Sequence, residues 1–202
     1  QGRPLTKDEL AALEELKKTG ISYYNYGETK SISWYRMDEK ELPEIRKLFA
    51  RLKGASINNI SVSTELASEE WQWICGLPNL KNLRLESLAG ISDTDFASLG
   101  KSVQLTKLEL KAGEKLSPAA FACLAKLGKL TELKFENVTC GAQGIAGIAQ
   151  IEQLQQLTLN GCSLTDADLK PLSSATAITM LNLSRNPKVT GEFLKGFAKN
   201  ET

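Results

Sequence analysis

Four cysteines and two carboxylate pairs are the side chains of this sequence best suited to chemistry. The pairs are Asp93 with Asp95 and Asp166 with Asp168. Paired carboxylates serve as metal ligands or as an acid–base couple. Each pair, however, follows a hydroxyl residue, Ser92 or Thr165, and this is also the pattern of a helix N-terminal cap. Neither has the spacing of an EF-hand calcium loop. Histidine is absent, which removes Ser/His/Asp triads, Cys/His pairs and histidine-ligated zinc. There is no P-loop, dinucleotide fingerprint or G-x-S-x-G elbow. The stretch Gly141 to Gly144 (GAQG) could hold a phosphate, but a tight turn before a short helix is the simpler reading. The sequence therefore predicts no catalytic residues, no metal and no cofactor.

Composition narrows the partners. The chain has 202 residues, 42% hydrophobic and 24% charged, with a net charge of +1. This is a globular composition with room for one substantial domain. The charge balance gives no reason to expect a nucleic acid or an anionic membrane surface. No apolar run approaches the roughly 20 residues of a membrane span, and the start lacks a signal-peptide pattern.

The elements that must position these residues recur. Ile57, Leu80, Leu105, Leu130, Leu154 and Ile178 each open a short alternating apolar segment, at intervals of 23, 25, 25, 24 and 24 residues. An apolar residue follows each of the first five (Leu66, Ile91, Leu116, Cys140, Leu164), and two more recur at fixed offsets beyond it. The first set is Trp71, Phe96, Phe121, Ile145 and Leu169, and the second Ile74, Leu99, Leu124, Ile148 and Leu172. Length varies only in the turn after each segment. Stacked strands must stay about 4.8 Å apart, so such units can vary in length only where the chain faces solvent. Ser92, Ser117, Thr165 and Thr190 are candidate N-caps, with Pro118 at the first helical position. Asp93 and Asp166 would complement the helix dipole.

The stretch Leu154 to Leu172, LQQLTLNGCSLTDADLKPL, follows the grammar L-x-x-L-x-L-x-x-N/C-x-L and resembles the leucine-rich repeat family. The resemblance extends over about residues 29–200. It is nearest the cysteine-containing kind at Cys162, with Asn186 at the same place one repeat later. Leu88, Gly113 and Val138 at that position interrupt the ladder. The Ser-Asp and Thr-Asp helix starts look like the short-helix repeats of bacterial surface and secreted proteins. The resemblance implies an α/β fold: a right-handed solenoid of about seven repeats, with parallel strands on a concave face and short helices on a convex one. It also implies a non-enzymatic protein-binding module acting through the concave face.

Residues 1–28 read as an N-terminal helical cap and residues 29–202 as the repeat domain. Thr6 and Glu9 form a capping box, Leu10, Leu13 and Leu16 an apolar stripe, and Gly20 a stop. Ile32 and Trp34 align with the strand core of a degenerate first repeat, with Met37, Leu42 and Ile45 following.

The outward strand positions line up as columns. One holds Ser61, Arg84, Glu109, Lys134, Thr158 and Asn182. Another holds Ser63, Glu86, Lys111, Glu136, Asn160 and Ser184, and a third Asn59, Asn82, Lys107, Glu132, Gln156 and Met180. The signs alternate along and across strands in repeats three to five. This predicts either a lattice of exposed ion pairs, each worth about 0–1 kcal/mol, or a charged docking site for a protein. The candidate binding residues are Tyr35, Asn82, Arg84, Glu86, Lys107, Glu109, Lys111, Glu132, Lys134 and Glu136.

Three features remain. Tyr23, Tyr24, Tyr26, Trp34 and Tyr35 cluster near the start, either closing the core over the cap or binding a partner or a carbohydrate, with Tyr35 expected on the concave side. The spacing of Cys75 and Cys123, two repeats apart, exceeds disulfide reach. Four buried thiols are expected, the alternative being a Cys140–Cys162 bridge between adjacent repeats. Finally, the last repeat, with Leu194 and Phe197 as its helix-side core, has no capping segment after it. Its open strand edge predicts either further chain or pairing of two copies.

Overall fold

A computed structural model describes residues 3–27, 29–35, 38, 40–113 and 116–199, and structural statements below concern these. The molecule is α/β, built on one eight-stranded sheet whose spatial order is its chain order. The strands are β1 (Ile21–Tyr26), β2 (Thr29–Trp34), β3 (Asn59–Val62), β4 (Asn82–Leu85), β5 (Lys107–Gly113), β6 (Glu132–Val138), β7 (Gln156–Asn160) and β8 (Met180–Asn182). β2 to β8 run parallel, and β1 is antiparallel to β2.

A helical segment lies between successive parallel strands. α1 (Lys7–Leu16) precedes the sheet. It is followed in chain order by α2 (Leu42–Arg51), α3 (Ser68–Cys75), α4 (Asp93–Phe96), α5 (Gly141–Ile148) and α6 (Asp166–Leu169). The fourth connection is a 3₁₀ helix, Pro118–Lys126, and a further 3₁₀ helix, Glu192–Lys199, follows β8. These helices are short because only two apolar offsets per repeat anchor them to the sheet.

The register matches the columns read from the sequence. Ile60, Leu83, Leu108, Leu133, Leu157 and Leu181 pair in a row, with Ile32 as their start. Alternation along each strand sends this row and its companion (Trp34, Val62, Leu85, Leu110, Phe135, Leu159) into one core that runs from Ala12 to Phe193. The apolar residues at the three fixed offsets are buried without exception. Aromatic rings run through this core. Phe49 stacks on Trp73 at 4.0 Å and Trp71 on Phe96 at 5.8 Å, while Phe96 tilts against Phe121 at 5.1 Å and Phe121 against Phe135 at 5.5 Å.

Several expectations are corrected. The region expected to be a helical cap also contains the strand β1, whose segment ISYYNY carries no repeat grammar. Leu10 is 44% exposed, since its face of α1 turns away from the core, where Glu9, Ala12, Leu13 and Leu16 are buried. Glu9 tolerates burial because Arg3 grips its carboxylate at 2.5 and 2.7 Å and Thr6 N–H donates to it, which holds its pKa down at about 2. Leu194 is 52% exposed and Phe193 takes the buried place. Gly191, at φ 96°, enters the last helix one residue out of step with the earlier repeats. Met37 and the side chain of Phe197 lie outside the described residues. Ser117 makes no side-chain cap, and Thr190 donates its hydroxyl to Asp166. Gly144 sits inside α5, where a Cβ would come within 2.7 Å of the Cys140 Cβ and 3.2 Å of the Phe121 Cβ. Its role is close packing, and the phosphate reading falls away.

One backbone feature recurs at the strand exits. Ala112 (φ 50°), Asn137 (φ 55°), Gly161 (φ 66°) and Arg185 (φ 57°) occupy the same place in four successive repeats, all left-handed. This corner starts the length-variable turn. Only one of the four is glycine, so the stacked geometry outweighs the local cost of about 1–2 kcal/mol for an L-residue there.

Candidate functional site

The carboxylate pairs act as structural staples. Ser92 and Thr165 form capping boxes with Asp95 and Asp168. Asp95 also accepts from the Ser68 hydroxyl one repeat earlier, at 2.6 Å. Asp93 accepts the Ser117 N–H at 2.9 Å. Asp166 accepts from the N–H groups of Thr190, Gly191 and Phe193 and from the Thr190 hydroxyl. These donors hold both carboxyls below their usual range. For Asp166 the backbone bond from Thr190 contributes most, and for Asp93 the Ser117 side chain. Beyond the dipole role expected of them, Asp93 and Asp166 tie one repeat to the next. Among the described residues no three Cys, Asp or Glu side chains converge on a metal position.

The four thiols are free and buried. Burial pushes Cys75 and Cys140 up to about 12, and Cys123 and Cys162 up to about 11, so none is a thiolate near neutral pH. Cys140 and Cys162 are not bridged.

On the solvent face of the sheet, β4 to β6 bring six of the candidate residues into one ionic network. Glu109 lies at its centre, 6% exposed, with Lys134 at 3.2 Å, Arg84 at 3.4 Å and Lys111 at 3.9 Å. Glu86 pairs with Arg84 at 2.6 Å and Lys111 at 3.2 Å, and Glu136 with Lys134 at 2.7 Å and Lys111 at 3.2 Å. The hydrogen bond from Lys134 lowers the Glu136 pKa and is matched by a rise at Lys134. At Glu86 burial pushes the pKa upward, but Arg84 and Lys111 outweigh it and the net shift is down. Lys107 and Glu132 form a separate pair at 2.7 Å. Three cations and three carboxylates thus satisfy one another, and little net field leaves this patch.

The face changes toward β1. Cross-strand partners share a face, so Ser22, Tyr24 and Tyr26 stand beside Ser33, Ser31 and Thr29, and these lead on to Ser61 and Asn59. Asn59 donates to Ser31 at 3.2 Å, and the Asn82 amide donates to Asn59. A shallow depression of about 270 Å³ lies over this neutral floor and reaches Arg84. Tyr24 and Tyr26 are 42% and 73% exposed with parallel rings 6.2 Å apart, and Tyr35 is 66% exposed. Tyr23 and Trp34 point the other way, into or against the core. The aromatic cluster is therefore divided by strand alternation. The sequence reading singled out Tyr35. The alternation YYNY, with Tyr24 and Tyr26 two apart, was the signal for the other two.

No family model matches the chain, and no curated protein matches it. Among solved structures it is similar to an internalin from Listeria monocytogenes at 17% identity and a TM-score of 0.35, over 80% of this chain and 55% of that one. The chain therefore spans 55% of the length of that protein. None of the helices is long and apolar enough to cross a membrane, among the described residues.

Proposed function

We propose that the chain is a right-handed leucine-rich repeat solenoid, capped by residues 1–28 and formed by residues 29–202, which binds a protein partner without catalysis. The sequential parallel register and the three buried offsets support the repeat reading. The binding surface is the strand face, whose side chains stand in fixed columns. The observation that carries this reading is the neutral Ser/Asn floor flanked by exposed Tyr24, Tyr26 and Tyr35 and meeting the charged patch at Arg84, Lys107 and Glu109. Exposed tyrosines with no core role are the kind of group that anchors an interface, and arginine is the charged residue most often found with them. Asn82, Glu86, Lys107, Glu109, Lys111, Glu132, Lys134 and Glu136 then form the adjoining polar rim. The non-catalytic reading is supported by protonated, buried thiols and by aspartates already committed to backbone donors.

The test is partner capture from the native source with matched variants. A protein retained by the wild type and by Lys126→Glu on the helical side, but lost from Tyr24→Ser/Tyr26→Ser and from Ser61→Arg, supports the strand face. Equal retention by all folded variants would overturn it.

A second reading, self-association, has its own observation. β8 has no partner on its outer side among the described residues, and Met180 on it is exposed. Light scattering that finds a concentration-independent monomer removes this reading and leaves the first intact.

A further inference from the structure

A second cavity lies away from the strand face. It lies at the ends where the strands begin, under the β1–β2 hairpin tip and the start of α1, with a volume of about 750 Å³. That is the size of many ligand sites, which run from about 300 to 1,000 Å³. Its lining is chemically one-sided. Lys30, Lys81 and Lys129 reach it, and no carboxylate of the described residues lines it. Lys129 is held by a neutral partner, the Gln104 amide oxygen at 2.7 Å. Leu5 and the exposed Leu10 form an apolar wall at one end. Ser56, buried in the lining, has a hydroxyl with no hydrogen-bond partner among the described residues.

The lysines are placed by the repeat. Lys30 lies on β2, Lys81 directly before β4, and Lys129 shortly before β6. Lys30 and Lys81 hold the same register position two strands apart, about 10 Å at the spacing of a sheet, and Lys129 lies two strands further on and two residues earlier in its repeat, a somewhat longer step. A compact anion such as inorganic phosphate cannot span all three of these cations. An extended peptide rises about 3.3 Å per residue, so carboxylates on every third residue also fall about 10 Å apart.

We propose that this cavity binds an extended acidic peptide segment, with carboxylates three residues apart on Lys30, Lys81 and Lys129 and an apolar side chain against Leu5 and Leu10. The site is separate from the strand face and does not depend on its role. It also gives a role to three lysines that line one cavity with no carboxylate among the described residues, whereas Lys111 and Lys134 on the strand face are paired with carboxylates.

The experiment uses the full chain and a labelled synthetic peptide with a terminal leucine and three glutamates at every third position, separated by glycine and serine. Fluorescence anisotropy at low salt is expected to give saturable binding. Lys81→Glu should weaken it by about tenfold, as one attractive pair becomes repulsive, and Leu10→Ser should weaken it by a smaller factor. Tyr35→Ser should leave it unchanged, so that failure of the strand-face reading would not be mistaken for failure of this one. Three results overturn the proposal: no saturable binding by the wild type, equal binding of a peptide with its three glutamates adjacent, or equal binding of a polyphosphate of the same charge.

Discussion

Lysines serve opposite ends in two regions of this molecule. On β4 to β6, Lys111 and Lys134 each touch two or more carboxylates, and their charge is spent inside the lattice. At the strand beginnings, Lys30, Lys81 and Lys129 line a cavity without a described carboxylate. Composition does not distinguish them. The difference comes from which column of the repeat each occupies, because a column fixes its neighbours on both sides. Charge on a repeat array is thus informative only after it is placed in register.

The comparison breaks most visibly at Glu109. Replacing it by lysine removes the partner of three cations and adds a fourth in a nearly buried place. Urea unfolding should show a loss of about 3–5 kcal/mol, whereas Lys81→Glu should stay within about 0.5 kcal/mol. A small loss for Glu109→Lys would mean that the lattice is loose and its cations available.

Acid should dissolve the lattice and leave the cavity's charge intact. Glu86, Glu136 and Glu9 all have folded-state pKa values below their unfolded ones. Their stabilising contribution is therefore complete above the unfolded carboxylate range, near 4.5, and is lost as pH falls through the lowered folded values, about 2 for Glu9. These groups are partly screened, so the total is expected to be about 1–3 kcal/mol between pH 6 and pH 2. Stability that held constant across that range would contradict the pairing.

The smallest effect concerns the corners that set the columns. Ala112→Gly should raise stability by up to about 1 kcal/mol, read as a higher Tm, because alanine is strained at φ 50°. A drop in Tm would mean that the freedom glycine gains in the unfolded chain outweighs the strain relieved.

Most of the parallel sheet was legible in the sequence. An alternating leucine pattern fixes which side chains face inward, and a one-residue slip would expose every one of them, so the register of β3 to β8 follows directly. The N-terminal hairpin was not legible, because β1 pairs antiparallel and shares no spacing with the repeats. The left-handed corner was only half legible. Asn137 and Gly161 are typical of it, but Ala112 and Arg185 are not. Of the binding candidates, the charged ones fall in the columns read from the sequence, where alternating signs already predicted a lattice of ion pairs as one of two readings, and the distances show that lattice. The lysine cavity could not be seen at all, since the position before each strand is polar in every repeat and carries no distinguishing residue type.

The aromatic start of the core, where Phe49 stacks on Trp73 and Trp34 tilts against both, has a spectroscopic consequence. All three tryptophans (Trp34, Trp71, Trp73) and all four tyrosines lie within the first 73 residues. Intrinsic fluorescence therefore reports on the first repeats alone, while circular dichroism averages over the whole array. Denaturation followed by both signals in one sample reads the two ends separately, and any gap between the two midpoints measures how far the array departs from unfolding as one unit.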